Sequence, residues 1–182
     1  MILLTTSRRP TDLIRSLCRD FSNLIPNVVR INRGKMSLND VAERAIEFKA
    51  KKVVLVERWD SGFGKISFFT VDSNGLTSFP PLMFLSRVLL RREFKKQERS
   101  CSSVITMAPE NSPKLERLVG CLSQFFNLPN LSIDEAAKSH RVSLHFSQVS
   151  LGHIQITFML LRQMVEIGPR VTFSKLVWEV PQ

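Results

Sequence analysis

Four consecutive apolar residues, Val53-Val54-Leu55-Val56, stand between Lys51-Lys52 and Glu57 and leave no polar side chain for a solvent face. A strand with this pattern is buried, so it lies inside a sheet with other layers packed on it. The residues before it supply candidates for those layers. Residues 2–6 read as a second buried strand, and residues 10–25 as a helix that turns Leu13, Ile14, Leu17, Cys18, Phe21, Leu24 and Ile25 to one side. Pro10 suits a first-turn position, where its missing N–H costs nothing. Pro26-Asn27 ends that helix, and residues 28–31 give another short strand. Ser37 is placed to cap a helix with Asp40 in the capping-box position and Leu38, Val41, Ala42, Ala45 and Ile46 as its inner face.

The next segments have an antiparallel character. Residues 65–71 form a strand, and Asp72-Ser73-Asn74-Gly75 supplies turn chemistry before another. Residues 82–94 fit helix and strand almost equally, with Pro80-Pro81 tipping the balance to strand. From about residue 101 the pattern repeats. Residues 104–107 are strand-like, and Ser112-Pro113 opens a helix with Leu115, Leu118, Val119, Leu122, Phe125 and Phe126 inward. That helix ends in Asn127-Leu128-Pro129-Asn130, close to Asn23-Leu24-Ile25-Pro26-Asn27 a hundred residues earlier, which suggests a duplication. Val142, Leu144 and Phe146 alternate, as do Ile154, Ile156, Phe158 and Leu160. The last strand, 171–180, changes phase near Ser174-Lys175, where a bulge is expected. The fold class is therefore α/β, with two similar, pseudo-duplicated α/β half-domains and mixed sheets.

A hydrophobic content of 43% calls for a packed fold and excludes a disordered chain. The formal charge of +10 favours a polyanionic partner. Residues 1–99 carry 19 basic and 10 acidic side chains, net +9, and form a basic N-terminal half. Residues 100–182 carry 7 and 6, net +1, and form a near-neutral C-terminal half. Cys18, Cys101 and Cys121 are odd in number and widely spaced, so neither a disulfide framework nor a metal site is expected. Cys18 and Cys121 fall on apolar helix faces. The opening Met1-Ile2-Leu3-Leu4 is too short for a signal-peptide core, and the apolar stretch 151–165 contains His153, Gln155, Arg162 and Gln163. A soluble, cytoplasmic protein without a membrane partner is expected.

Catalytic signatures are missing. There is no Gly-rich phosphate loop, metalloprotease helix or nucleophile elbow, and Gly62-Phe63-Gly64-Lys65 is better explained by a hairpin turn. His145 alternates with apolar neighbours and is expected to face solvent or a polar layer. Asp134-Glu135 suits a helix start. No enzyme activity, cofactor or metal is expected.

Three basic clusters could hold phosphate. Thr5-Thr6-Ser7-Arg8-Arg9 links the first strand to the first helix, where hydroxyls, helix N–H groups and two guanidiniums suit an anion. The same residues equally suit a capped helix start with two solvated arginines. Arg30, Asn32, Arg33, Gly34 and Lys35 sit after the second strand, at the edge where open α/β sheets collect ligands. Arg87, Arg91, Arg92, Lys95, Lys96 and Arg99 form a run around Phe94, a ring that either stacks on a base or packs inward. From these clusters Ser7, Arg8, Arg9, Arg30, Arg33, Gly34, Lys35, Arg91, Arg92 and Lys95 are candidate nucleic-acid contacts. The chain contains no tyrosine and no ribonucleoprotein signature, so phosphate and shape recognition fit better than base readout.

These residues also carry a likeness. Thr5-Thr6-Ser7-Arg8-Arg9-Pro10 followed by an amphipathic helix resembles the opening of the Brix-domain family in its short archaeal form, without the long basic extensions of larger members. Ile31-Asn32-Arg33-Gly34-Lys35 matches the family's basic loop. Val53-Val54-Leu55-Val56-Glu57 with Gly64-Lys65-Ile66 matches its next strands, and Val165-Glu166-Ile167-Gly168-Pro169-Arg170 its closing motif. The resemblance implies one Brix-like domain over 1–182, duplicated internally and related to the anticodon-binding domains of some aminoacyl-tRNA synthetases. It implies binding of ribosomal RNA or its precursor during ribosome biogenesis, with Ser7, Arg8, Arg33, Gly34, Lys35 and Arg170 facing RNA. Other assembly factors or ribosomal proteins are further candidate partners. The alternative is a protein–protein adaptor within a ribosome-assembly complex, with the near-neutral half as its docking surface.

Overall fold

The computed structural model describes residues 1–59, 62–96, 100–109, 112–149 and 152–179. The buried run at 53–56 lies within β3 (Lys52–Trp59), which pairs in parallel with β1 (Ile2–Thr6) and antiparallel with β4 (Gly62–Asp72). β1 also pairs in parallel with β2 (Val28–Arg30), and β4 forms a hairpin with β5 (Gly75–Leu89). Asp72 shapes that turn, accepting hydrogen bonds from Asn74 N at 2.7 Å and Thr77 Oγ1 at 3.3 Å. Segment 82–89 is strand, followed by a 3-10 turn at Arg91–Glu93. Pro80-Pro81 sits where the β4–β5 register shifts between Ile66 and Phe68, a bulge that tolerates residues unable to donate to the ladder.

Two helices lie on opposite faces of this part of the sheet. α1 (Asp12–Leu24) begins two residues later than expected. The Thr11 hydroxyl accepts from Ile14 N at 3.3 Å, so Thr11 is the cap and Pro10 lies outside the helix. α2 (Leu38–Glu47) has the full capping box: Ser37 Oγ accepts from Asp40 N at 3.1 Å, and Asp40 Oδ2 accepts from Ser37 N at 2.8 Å. Val41 and Ala45 of α2 pack on Leu3 and Val53 with Phe69 and Val71 alongside. Leu38 and Ile46, expected in that inner face, are 45% and 55% exposed. They flank the buried stripe of a short helix and are not part of it.

The remaining strands are β6 (Val104–Met107), β7 (Val142–Gln148), β8 (Ile154–Leu160) and β9 (Val165–Val177). α3 (Pro113–Phe126) and α4 (Ile133–Ser139) join β6 to β7. Ser112 caps α3 with Pro113 in its first turn, and all six expected inward residues are buried. Among the described residues there are thus nine strands and four helices, a mixed α/β fold.

By contact density the chain resolves into two compact units. The first comprises Met1–Ser22, Asn27–Leu85 and the chain from Lys175, the second Asn23–Pro26 and Ser86–Ser174. In the first, strands lie in the order β2-β1-β3-β4-β5; in the second, β9-β8-β7-β6. Each unit has a strand, a helix, a return to parallel pairing, a second helix and then three strands. In the second the return is one residue, Asn130, bridged to Ile105. The expected phase change at Ser174-Lys175, both exposed, falls where β9 passes from the second unit to the first. The register shift between β8 and β9 is elsewhere, opposite Ile167–Pro169. Val180, in the expected last strand, lies outside the described residues.

His145 does not face solvent. It is buried in a polar row that crosses four strands in register, Thr106, His145, Thr157 and Arg170. Its Nδ1 lies 2.9 Å from Thr106 Oγ1. Burial holds the imidazole below its ordinary value of 6.5, against a smaller opposing pull from Glu166. A depressed histidine takes its proton more readily in the unfolded chain, so stability is expected to fall as pH drops below about 6.5. Thermal melts at pH 7 and 5.5 check this, and His145→Gln should flatten the difference.

Candidate nucleic-acid interface

The parallel strands β1 and β2 both end at one edge of the first unit, and two of the three basic clusters follow them there. Ser7 continues β1, its N–H donating to Val56 O at 3.0 Å. Its hydroxyl is enclosed and has no hydrogen-bond partner among the described residues. Arg8 and Arg9 are exposed in the loop before α1. The helix end behind them is already capped by Thr11 and carries Asp12 in its first turn, ion-paired with Arg15 at 2.9 Å. Free helix N–H groups are therefore a weaker attraction for an anion than the guanidiniums.

Arg30 ends β2 half-buried, with Nη2 donating to Asn32 Oδ1 at 3.3 Å. Gly34 adopts φ +55°, and a Cβ added there would meet no atom within 4 Å. That backbone is open to a close approach by phosphate. Lys35 beside it is exposed.

Arg33 differs from its neighbours. Expected on the RNA-facing surface, it is only 7% exposed. Its Nε donates to Met36 O at 2.8 Å and its Nη1 to Thr6 O at 3.4 Å, while Arg8 Nε donates to the same Met36 carbonyl at 3.3 Å. One guanidinium thus ties the end of β1 to the loop after β2. Burial pulls Arg33 below the usual arginine value, Glu57 opposes that pull, and the charge of Arg8 adds to it. Arg33 positions this edge and presents little of itself to a ligand.

The third cluster belongs to the second unit. Arg92 and Lys95 are exposed and Arg91 is half-buried; Arg99 lies outside the described residues. Phe94 packs inward: a Cβ on Gly168 would stand 2.3 Å from its ring. Arg170, also expected to face RNA, is engaged within the protein. Its Nε donates to Glu166 Oε2 at 2.8 Å, Nη2 pairs with the same oxygen, and its guanidinium lies 5.7 Å from the Phe94 ring centroid.

The charge imbalance between sequence halves does not carry over to the compact units. The first unit contains 14 basic and 9 acidic residues and the second 12 and 7, so each is net +5. What sets the first unit apart is local gathering at one strand edge. Sequence reasoning also missed Trp59 and Phe63, 40% and 47% exposed on either side of the β3–β4 turn. A tryptophan ending an apolar strand reads as core until the strand pairing is known. Among the described residues no three of His, Cys, Asp and Glu are grouped to hold a metal, and no helix is long and apolar enough to cross a membrane.

No family model matches the chain. It is 29% identical over 93 residues to a "probable Brix domain-containing ribosomal biogenesis protein" of Thermococcus kodakarensis, a stretch covering 51% of this chain and 44% of that protein. An identically named protein of Aeropyrum pernix is 38% identical over 69 residues, 38% of each chain. The matched stretches therefore span less than half the length of these relatives. Among solved structures, a probable ribosomal biogenesis protein from Aeropyrum pernix superposes with a TM-score of 0.76 at 22% identity, covering 97% of this chain and 98% of the other. An archaeal Imp4-like protein, Mil, superposes with a TM-score of 0.68 at 21% identity, covering 97% and 99%. The chain is thus similar in sequence, over about half its length, to archaeal proteins named for a Brix domain, and shares over nearly all of it the fold of archaeal ribosomal biogenesis and Imp4-like proteins.

Proposed function

We propose that the protein is a non-catalytic ribosome-biogenesis factor that binds ribosomal RNA or its precursor through the strand edge of its first unit. The observation that carries this is the convergence of the β1 and β2 loops, which puts Arg8, Arg9, Gly34 and Lys35 on the same rim with Ser7 and Arg30 beside them. Exposed cations with an open glycine between them favour phosphate oxygens, and each contact releases counterions. Arg33 holds the rim in shape. Arg91, Arg92 and Lys95 are a second set of cations for the same polyanion. The names of the relatives support a place in ribosome assembly, where docking would steady a local RNA conformation while the subunit matures. The recurring order of elements supports descent of residues 1–182, as one Brix-like domain, from a duplicated half, and the family likeness implies its relation to anticodon-binding domains.

Crosslinking the protein to RNA in its native cells and sequencing the bound fragments tests the function. Fragments concentrated in ribosomal RNA or its precursor are expected, with crosslinked peptides from residues 7–9 and 30–35. A complex with other proteins that survives nuclease and high salt, with no ribosomal RNA crosslinked, would instead identify a protein–protein adaptor. At the rim itself, Lys35→Glu should weaken RNA binding while leaving the melting temperature within about 1–2 °C, since the side chain is exposed. Equilibrium binding and a thermal melt on the same sample check both halves.

A further inference from the structure

One face of the β3–β4 hairpin extends past the helix that covers the rest of it. α2 is ten residues long, whereas β4 and β5 run for 11 and 15. Gly64 faces α1, because a Cβ there would approach Ile14, and alternation turns Lys65 after it to the α2 side; the β3–β4 register shifts beyond Glu57, so alternation does not extend to Phe63. Where α2 begins, Leu38 shares a cleft of about 270 Å³ with Leu55, Glu57 and Lys65. Beyond it stands Trp59, also exposed. Trp59 is held edge-to-face by Phe84, with centroids 4.9 Å apart and planes at 71°. Lys65 Nζ lies 5.5 Å from the Trp59 centroid, and Lys175 Nζ 5.9 Å from that of Phe84. Glu57, a carboxylate on this face, is paired with Lys65 at 3.1 Å.

An exposed ring braced by a second ring, with an ammonium group beside each, matches a polymer of flat aromatic bases on an anionic backbone. A purely apolar partner would leave those ammonium groups desolvated. We propose that this face is a stacking platform for the bases of single-stranded RNA, with Trp59 taking a base and Lys175 an adjoining phosphate. It rests on the RNA-binding function proposed above and adds what a phosphate rim lacks, a preference for unpaired strands.

Replacing the second tryptophan, Trp178→Phe, leaves Trp59 as the reporter in an otherwise full-length protein. This protein is titrated with an oligouridylate of about ten nucleotides, and separately with duplex RNA of equal length, a range typical of such grooves. Quenching of Trp59 by the single strand is expected. Trp59→Ala should lower single-strand affinity at least about fivefold, with Trp59→Phe restoring most of it and duplex affinity unchanged. Lys175→Ala gives an independent arm should Trp59→Ala fold poorly. Oligouridylate affinity unchanged in both alanine variants would overturn the platform while leaving the rim standing. Failure of the parent to bind either RNA would overturn both.

Discussion

Arg33→Ala is expected to cost about 2–4 kcal/mol of stability, whereas Lys35→Ala two residues away should cost less than about 0.5 kcal/mol. Removing the Arg33 guanidinium takes donors from the Met36 and Thr6 carbonyls and removes the charge that faces Glu57. The Met36 carbonyl keeps Arg8, so the end of β1 loses more than the loop does. Arg33→Lys should recover only part of the loss, because an ammonium on a flexible stem does not reproduce a planar fork that serves two carbonyls. Urea unfolding of the three variants separates these outcomes. Equal stability of Arg33→Ala and Lys35→Ala would mean that Arg33 is not the tie between the two loops.

Gly64→Ala is the second large effect. The residue has φ +148°, a conformation that L side chains rarely adopt, and an added Cβ would stand 2.6 Å from the Glu57 carbonyl oxygen. That oxygen is backbone of the neighbouring strand, so relief requires the hairpin to move. A loss of roughly 2–4 kcal/mol is expected, seen as a fall in Tm of about 5–12 °C. Because Glu57 and Lys65 flank the site, the displaced hairpin should also disturb the Trp59 environment and shift its emission. A melt and spectrum that match the parent would show that the strands separate freely there.

Much of the fold could be read from the sequence because its signals are local. Val53-Val54-Leu55-Val56 has no polar face, Ser37 and Asp40 sit at capping spacing, and α3 repeats its apolar residues over four turns. What escaped notice depends on pairing across long separations. The burial of Arg33 follows from a carbonyl 27 residues earlier, on Thr6, and nothing in Ile31-Asn32-Arg33-Gly34-Lys35 distinguishes it from the exposed Lys35. Arg170 is silenced by Glu166, four residues away: on a regular strand the two would stand about 13 Å apart, and the irregularity at Ile167–Pro169 brings them together. Leu38 and Ile46 continue a helical period but overhang its edge. The charge imbalance was real in the sequence but misplaced in the fold, because the run from Arg87 to Lys96 belongs to the second unit.

The central claim is that exposed cations at the end of β1 and β2 hold RNA phosphates. It is tested by the salt dependence of binding to a folded ribosomal RNA fragment, comparing the parent with the triple variant Arg8→Ala, Arg9→Ala, Lys35→Ala. Losing three phosphate contacts should flatten the slope of log affinity against log salt by about 2–3, with the fold intact. A parallel slope in parent and variant would place the RNA elsewhere and contradict the account.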